Sequence, residues 1–220
     1  VLHGLGANQR IMEAIGQALA GANLGVYLLD LPGHGNSTEP FSFARAEACA
    51  ADAVAALERR GQIRLGKTVL VGHSMGGALA IRLADHFPTA ATVAISPAPM
   101  YPIRGMTAGA VLMSAPRRMP VNLLVFTGQF DFPLMKPSAE KLVLAAGGQR
   151  YREPDDFRER RAVRLVTVPG ATHTSLIYNV AVWNLILNAW LQPALGEHLL
   201  TRNYSFAGWF WGPVIGLAGL

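Results

Sequence analysis

A mostly parallel β-sheet covered by helices is the fold class this sequence predicts, on three observations. Short β-branched or aromatic apolar runs alternate with stretches of helical periodicity. Each run closes on a turn signal, and the 23 glycines and 14 prolines fall between the runs. The 220 residues suit one domain, and an apolar share of 51% against 15% charged residues excludes a disordered chain.

The candidate strands are residues 26–29, 68–71, 92–95, 122–126 and 163–168, with Val1-Leu2 as the tail of another. Between them, Ile11, Met12, Ile15 and Leu19 recur at helical spacing and Gly21 stops the pattern. Residues 44–60 are alanine-rich, with Ser42 as N-cap, Arg59-Arg60 in the last turn and Gly61 after it. Residues 78–87 form another helix, closed by Pro88, and 139–146 a further one that ends at Gly147-Gly148. Across 174–196, Asn179, Asn184, Asn188 and Gln192 make one wet stripe, which predicts an amphipathic helix packed on the sheet rather than a membrane span.

The formal charge of +5 comes from 16 Arg and 3 Lys against 14 acidic residues. A basic balance suits nucleic acid or lipid headgroups. The one Arg-dense stretch, 150–164, is however interleaved with Glu153, Asp155, Asp156 and Glu159. Mixed signs predict a solvated face and no nucleic-acid partner. Cys49, the single cysteine, allows no internal disulfide and no cysteine metal cluster, and its alanine neighbours predict a small buried residue. A cytoplasmic protein is the favoured reading, with membrane association as the alternative. The chain opens on Val1-Leu2-His3-Gly4 with no Met and no signal peptide, which reads as a fragment or processed chain without its N-terminal strands.

Residues 1–196 read as the domain, and 197–220 as an apolar Gly/Trp-rich C-terminal segment. Within 203–220, Gly208, Gly212 and Gly216 are spaced by four beside Trp209, Trp211 and Pro213. Three readings stay open: a segment folded back on the core, an anchor in contact with a membrane surface, or the start of a span.

The strongest chemical signal is Gly72-His73-Ser74-Met75-Gly76-Gly77, with a strand before it and a helix after it. A serine between strand and helix, with glycine two positions away on each side, is a nucleophile elbow. Side chains at the flanking positions would clash with the adjoining strand and helix. The helix N-terminus adds backbone N–H groups and partial positive charge.

A serine hydroxyl needs a base to take its proton and an acid to hold that base. Of the histidines after the serine, His86 sits near a helix end and His198 lies past the last long helix. His173 follows a strand directly, in Gly170-Ala171-Thr172-His173, and is the candidate base. Asp131, in Gly128-Gln129-Phe130-Asp131 after another strand, is the candidate acid. Asp155 and Asp156 precede a strand, and Glu140 lies early in a helix where a carboxylate suits the dipole. The oxyanion donors are assigned to the amides of Met75 and, in the His3-Gly4-Leu5-Gly6 loop, Leu5.

Together these pieces resemble the α/β-hydrolase superfamily, especially its monoacylglycerol lipase-like, esterase and lysophospholipase members. The matching residues are the His3-Gly4-Leu5-Gly6 oxyanion loop, the structural turn Asp30-Leu31-Pro32-Gly33-His34-Gly35-Asn36-Ser37, the elbow, and the acid and histidine loops. The resemblance implies an eight-stranded sheet, no cofactor, and hydrolysis through an acyl-enzyme. Only residues 97–121 stand where such proteins insert a lid, so the lid is minimal. This connection carries Met100, Tyr101, Met106, Met113 and Met119, which suit either an acyl chain or the core. An open apolar cleft accepting a small-molecule carboxylic ester, lipid esters among them, is the expected site. Thioesterase, amidase, C–C hydrolase and acyltransferase chemistry would use the same triad, and a non-catalytic binding or membrane-associated role is the other class.

Overall fold

Four of the apolar runs become strands that pair side by side in chain order. The computed structural model describes residues 1–102, 113–151 and 154–200. In it β1 is Val69–His73, β2 Ala91–Ile95, β3 Leu123–Phe130 and β4 Val163–Thr172. Every neighbouring pair is parallel. β2 is buried along its whole length and β3 over its first six residues, which is why both read as unbroken apolar runs.

Residue parity sorts the strand side chains into two cores. Val71, Val93, Ile95, Leu124 and Phe126 join Met12, Ile15, Trp183 and Trp190 on one face. Leu70, Ala94, Leu123 and Val125 join Ala46, Leu79 and Leu142 on the other. The first face is covered by α1 (Glu13–Gly21), which follows a 3-10 turn over Gln9–Met12, and by the C-terminal helices. The second is covered by α2 (Phe43–Arg59), α3 (Met75–Leu83) and α4 (Met135–Ala145). The sheet advances in one direction from β1 to β4, so right-handed crossovers place α3 and α4 on the same face.

Ser42 caps α2 by accepting from the Arg45 amide at 3.1 Å, and Gly61 beyond its end takes a φ of +67°. A partly buried ion pair between Arg82 and Glu47 (2.8 Å) ties α3 to α2. The short α5 (Pro154–Arg158) precedes β4. Its neighbourhood carries exposed pairs of Arg158 with Asp155 and Arg161 with Glu159, although Asp156 is buried against Arg161.

Several expectations need correcting. Residues 26–29 do not form a strand. Leu2 bridges Leu29 on one side and Gly72 on the other, but only as isolated pairs. Among the described residues the sheet has four parallel strands, in keeping with the expected sheet that lacks its N-terminal strands. The helix after the elbow starts at Met75 and stops at Leu83, earlier than expected at both ends. Its final turn tightens, with the His86 amide on the Leu83 carbonyl at 3.0 Å, ahead of the proline that disfavours helical backbone at Phe87. The helix expected from 139 starts four residues earlier, at Met135, and ends at Ala145 before two glycines of positive φ. Cys49 is half-buried rather than buried.

The stretch 174–196 is not one regular helix. A 3-10 turn over Ser175–Tyr178 leads to α6 (Val180–Asn184), a π-helix over Leu185–Leu191 and α7 (Gln192–Leu195). The wider π turn lets the buried pairs Val182-Trp183, Ile186-Leu187 and Trp190-Leu191 stay on one side. Among the described residues no helix is long and apolar enough to cross a membrane. Residues 203–220, with the three readings open for them, lie outside the described residues.

Asn122 joins the layers at the amino end of the sheet. Expected as the first residue of a strand, it instead has a left-handed φ of +45°, which Asn tolerates better than most residues. Its amide donates to the Ala90 carbonyl at 3.0 Å and accepts from the Ala162 amide at 3.3 Å, while its own carbonyl accepts from Trp190 Nε1 at 2.8 Å. Replacing Asn122 by Ala removes two buried side-chain hydrogen bonds at the starts of β2 and β4. A loss of about 2–4 kcal/mol in urea unfolding is the expected result.

Candidate active site

At the carboxyl edge of the sheet, the residue directly after each strand carries a polar side chain. Ser74 follows β1, Ser96 follows β2, Asp131 follows β3 and His173 follows β4. Parallel neighbours in register bring all four strand ends to the same rim.

Ser74 sits at φ +55° and ψ −119°, between the last residue of β1 and the first of α3. An L-residue stays in such a conformation only where its surroundings hold it there. The Ser74 amide donates to the Ile95 carbonyl at 2.9 Å, and the Ser74 carbonyl accepts from Ala78 at 3.1 Å and Ala98 at 2.9 Å. Glycine makes the turn possible. A Cβ on Gly72 would lie 2.0 Å from the Gly76 carbonyl oxygen, and one on Gly76 would lie 2.3 Å from that of Leu2.

The chain reverses its direction across the sheet beside this turn. Leu2 pairs with Gly72, yet the helix after Leu2 packs on one face and the helix after β1 on the other. A crevice opens at such a switch point, outside the carboxyl ends of the strands. The His3–Gly6 loop and Ser74 occupy its two sides. They are in contact, since a Cβ on Gly4 would lie 3.0 Å from Ser74 Cβ. Among the described residues no hydrogen bond occupies the amide of Leu5 or of Met75.

Two imidazoles hold the loop. His3 donates from Nδ1 to the Gly4 carbonyl at 2.8 Å and accepts at Nε2 from the Leu31 amide at 3.0 Å. His34 donates from Nδ1 to the Pro32 carbonyl at 2.8 Å and accepts at Nε2 from the Gly6 amide at 3.0 Å. Each acceptor nitrogen requires a neutral ring. Burial, reinforced by His34, keeps His3 below the ordinary histidine value. Asp30 anchors the neighbouring turn by accepting from the amides of Gln9 at 2.7 Å and Asn36 at 3.0 Å.

On the other side of the crevice, Asp131 Oδ1 accepts from His173 Nδ1 at 2.8 Å and from the Phe132 amide at 2.9 Å. Its Oδ2 accepts from the Ser96 hydroxyl at 2.7 Å and the Gly128 amide at 3.1 Å. Burial works against the charge on Asp131, but these donors outweigh it and hold the carboxyl below its usual range. Ser96 Oγ also lies 2.9 Å from His173 Nδ1. Both side-chain partners of His173 therefore use Nδ1, and among the described residues no side chain is bonded to Nε2. Among the described residues no hydrogen bond joins the Ser74 hydroxyl to His173. Such contacts are often long without substrate.

His73, next to Ser74, donates from Nε2 to the His173 carbonyl at 3.0 Å, and the two rings lie 4.7 Å apart. The residue before Ser74 is thus in direct contact with His173. Phe132, 58% exposed, also brings its ring within 4.7 Å of the His173 ring.

Ser96, His73 and Phe132 escaped the sequence reading. Ser96 stands directly after a strand, as Asp131 and His173 do, and that position is the one signal for it in the sequence. His73 precedes the serine in the chain, and its role rests on a contact with a residue 100 positions away. The other candidates lie elsewhere: His86 faces Glu47 at 3.6 Å, and His198 is exposed. Met100 and Met113 are core residues packed with Met75 and Leu79 rather than a lining for substrate, and Met119 packs against the same core. Met106 lies outside the described residues. An apolar cavity lined by Leu24, Tyr27, Ile63 and Leu191 holds about 190 Å³, but none of its lining comes from the loops that carry Ser74, Asp131 or His173.

A model of the alpha/beta hydrolase family matches residues 1–185. Three solved structures illustrate the likeness. An alpha-beta serine hydrolase homologue from Coxiella burnetii is 17% identical, with a TM-score of 0.57 over 81% of this chain and 75% of that one. A thermophilic esterase from Thermogutta terrifontis, solved with malate bound, is 19% identical, with a TM-score of 0.52 over 80% and 82%. Est1E from Butyrivibrio proteoclasticus, solved with ferulic acid bound, is 19% identical, with a TM-score of 0.54 over 86% and 87%. At these identities the likeness shows the fold. No curated protein matches this chain.

The buried His73 imidazole has a specific consequence for acid stability. Burial, then charge on His173, pushes it from 6.5 down to about 4. The unfolded chain takes up a proton near pH 6.5 that the folded chain refuses until about pH 4. This contribution is therefore complete above pH 6.5 and is lost as the pH falls to about 4, at about 1.4 kcal/mol per pH unit. His73→Gln retains a donor for the His173 carbonyl but does not titrate. Urea unfolding at pH 7, 6 and 5 is expected to show a shallower decline for that variant than for the wild type.

Proposed function

We propose that this chain, which belongs to the alpha/beta hydrolase family, hydrolyses carboxylic esters, with Ser74 as nucleophile, His173 as general base and Asp131 as the acid that orients the base. One observation carries the reading. The Asp131–His173 pair, joined at 2.8 Å through Nδ1, stands on the same rim as a serine held in a strained strand-to-helix turn.

The chemistry follows from the placement. Ser74 Oγ attacks the ester carbonyl as His173 Nε2 removes its proton. Asp131, held ionised by its donors, stabilises the imidazolium through Nδ1–H. The amides of Leu5 and Met75 receive the oxyanion, and Met75 opens α3, where the helix dipole adds partial positive charge. His173 then returns the proton to the leaving alcohol. A water molecule, activated by the same nitrogen, releases the acid and restores Ser74.

Ser96 also touches His173, but it does not fit the part of nucleophile. It is fully buried and shares Nδ1 with Asp131, so it has neither access to substrate nor the nitrogen that would take its proton.

The substrate we infer is a small carboxylic ester with an apolar acyl group. Exposed Leu5 and Phe132 flank the site, and apolar side chains at a crevice mouth favour an apolar substrate. Two of the structural neighbours were solved with carboxylic acids bound, ferulic acid and malate, the product class of ester hydrolysis. Lipid and acylglycerol esters are the finer form of this reading.

The test is hydrolysis of p-nitrophenyl acetate, butyrate and octanoate, together with labelling by a fluorophosphonate probe. Ser74→Ala is expected to abolish labelling and to lower kcat by at least about a thousandfold. Rates rising with chain length support the lipid reading, and activity confined to the acetate removes it. Labelling that survives Ser74→Ala overturns the assignment.

A further inference from the structure

We propose that Ser96 is a positioning residue: its buried hydroxyl clamps the Asp131 carboxylate and the His173 ring into one rigid unit. The inference rests on the assignment of His173 and Asp131 proposed above and adds a fourth residue to it.

The geometry gives the hydroxyl two partners at once. It donates to Asp131 Oδ2 at 2.7 Å, so its lone pairs face His173 Nδ1 at 2.9 Å. The Nδ1–H is then shared between Asp131 Oδ1 at 2.8 Å and Ser96 Oγ. When the ring takes a proton at Nε2, the positive charge has two acceptors on its far side instead of one. Asp131 gains as much. With the Gly128 and Phe132 amides and the His173 ring, the hydroxyl brings its donors to four, two on each oxygen, which fixes the carboxylate against rotation.

The backbone at Ser96 is arranged for this contact. Its amide donates to the Phe126 carbonyl at 2.8 Å, extending the β2–β3 ladder past the end of β2. Its φ is +43°, an unfavourable value for a residue with a Cβ, and Pro97 follows, which by itself steers the preceding residue towards extended backbone. The residue is 0% exposed. A buried serine held at a strained φ, with its hydroxyl between an acid and a base, is an outlier that calls for a function. A glycine would satisfy the backbone better, so the side chain is what the strain retains.

The test compares wild type, Ser96→Ala, Ser96→Gly, Asp131→Ala and the Ser96→Ala/Asp131→Ala pair on p-nitrophenyl butyrate, with Ser74→Ala as the control for the reaction itself. Ser96→Gly relieves the backbone while removing the hydroxyl, so its urea midpoint is expected to lie above that of Ser96→Ala. Both Ser96 variants are expected to lose about tenfold to a hundredfold in kcat, with KM within about twofold of wild type. In the Asp131→Ala background the loss from Ser96→Ala is expected to shrink below about twofold, because the clamped group is gone. A kcat within twofold of wild type in a folded Ser96→Gly variant, while Ser74→Ala is inactive, overturns the inference and leaves the functional reading standing. An undiminished loss in the Asp131→Ala background also overturns it. Fluorophosphonate labelling that survives Ser74→Ala but not Ser96→Ala would make Ser96 the nucleophile and overturn both. A wild type that neither labels nor hydrolyses any of the esters removes the functional reading and this inference with it.

Discussion

The close approach of bare backbone at Gly72, Gly76 and Leu2 is the constraint on which the rest of the structure depends. With a Cβ on Gly76 the separation from the Leu2 carbonyl oxygen would be 2.3 Å, less than any van der Waals contact, so α3 can leave β1 at this angle only where side chains are missing. That departure seats the helix N-terminus on the sheet rim, forces Ser74 to its positive φ and brings the His3–Gly6 loop alongside. The switch in direction between Leu2 and β1 does the complementary work by sending the two following helices to opposite faces. The crevice is thus a product of chain topology, and the glycines are what allow the backbone to line it.

Around the crevice, polar side chains divide into neutral imidazoles that hold backbone and one saturated anion. His3 and His34 bind amides of the loops around them, and His73 binds the carbonyl of His173. Each is placed to act through one tautomer, and protonating the acceptor nitrogen of His3 would replace a hydrogen bond with a repulsion. Asp131 stands apart, ionised in a half-buried place because every lone-pair direction meets a donor. Rigidity at this rim comes from hydrogen-bonded polar groups, whereas rigidity below it comes from the two apolar cores.

Much of the architecture was legible because it follows from local rules. The periodicity that separates strand from helix, the Ser42 cap and the Gly61 stop are properties of short windows. Errors gathered where a partner decides the outcome. Residues 26–29 have a strand's composition, yet their pairing reduces to a single bridge between Leu29 and Leu2. Asn122 looks like the start of a strand, yet hydrogen bonds to Ala90, Ala162 and Trp190 draw it into a left-handed turn. The methionines of the 97–121 connection have the composition of a lipid pocket, but the described ones are taken up by the core beneath α3.

The sequence by itself determined which residue types could stand at the rim: a serine flanked by glycines, and an acid and a histidine each closing a strand. Those choices are steric and positional, and short motifs carry them. Only the tertiary structure decided how these groups are supported. Ser96 and His73 matter through neighbours 35 and 100 residues away, met because four parallel strands end side by side. A hydrogen bond across such a distance depends on sheet order and register, which are set by the packing of the whole domain and leave no trace in the residues beside either partner.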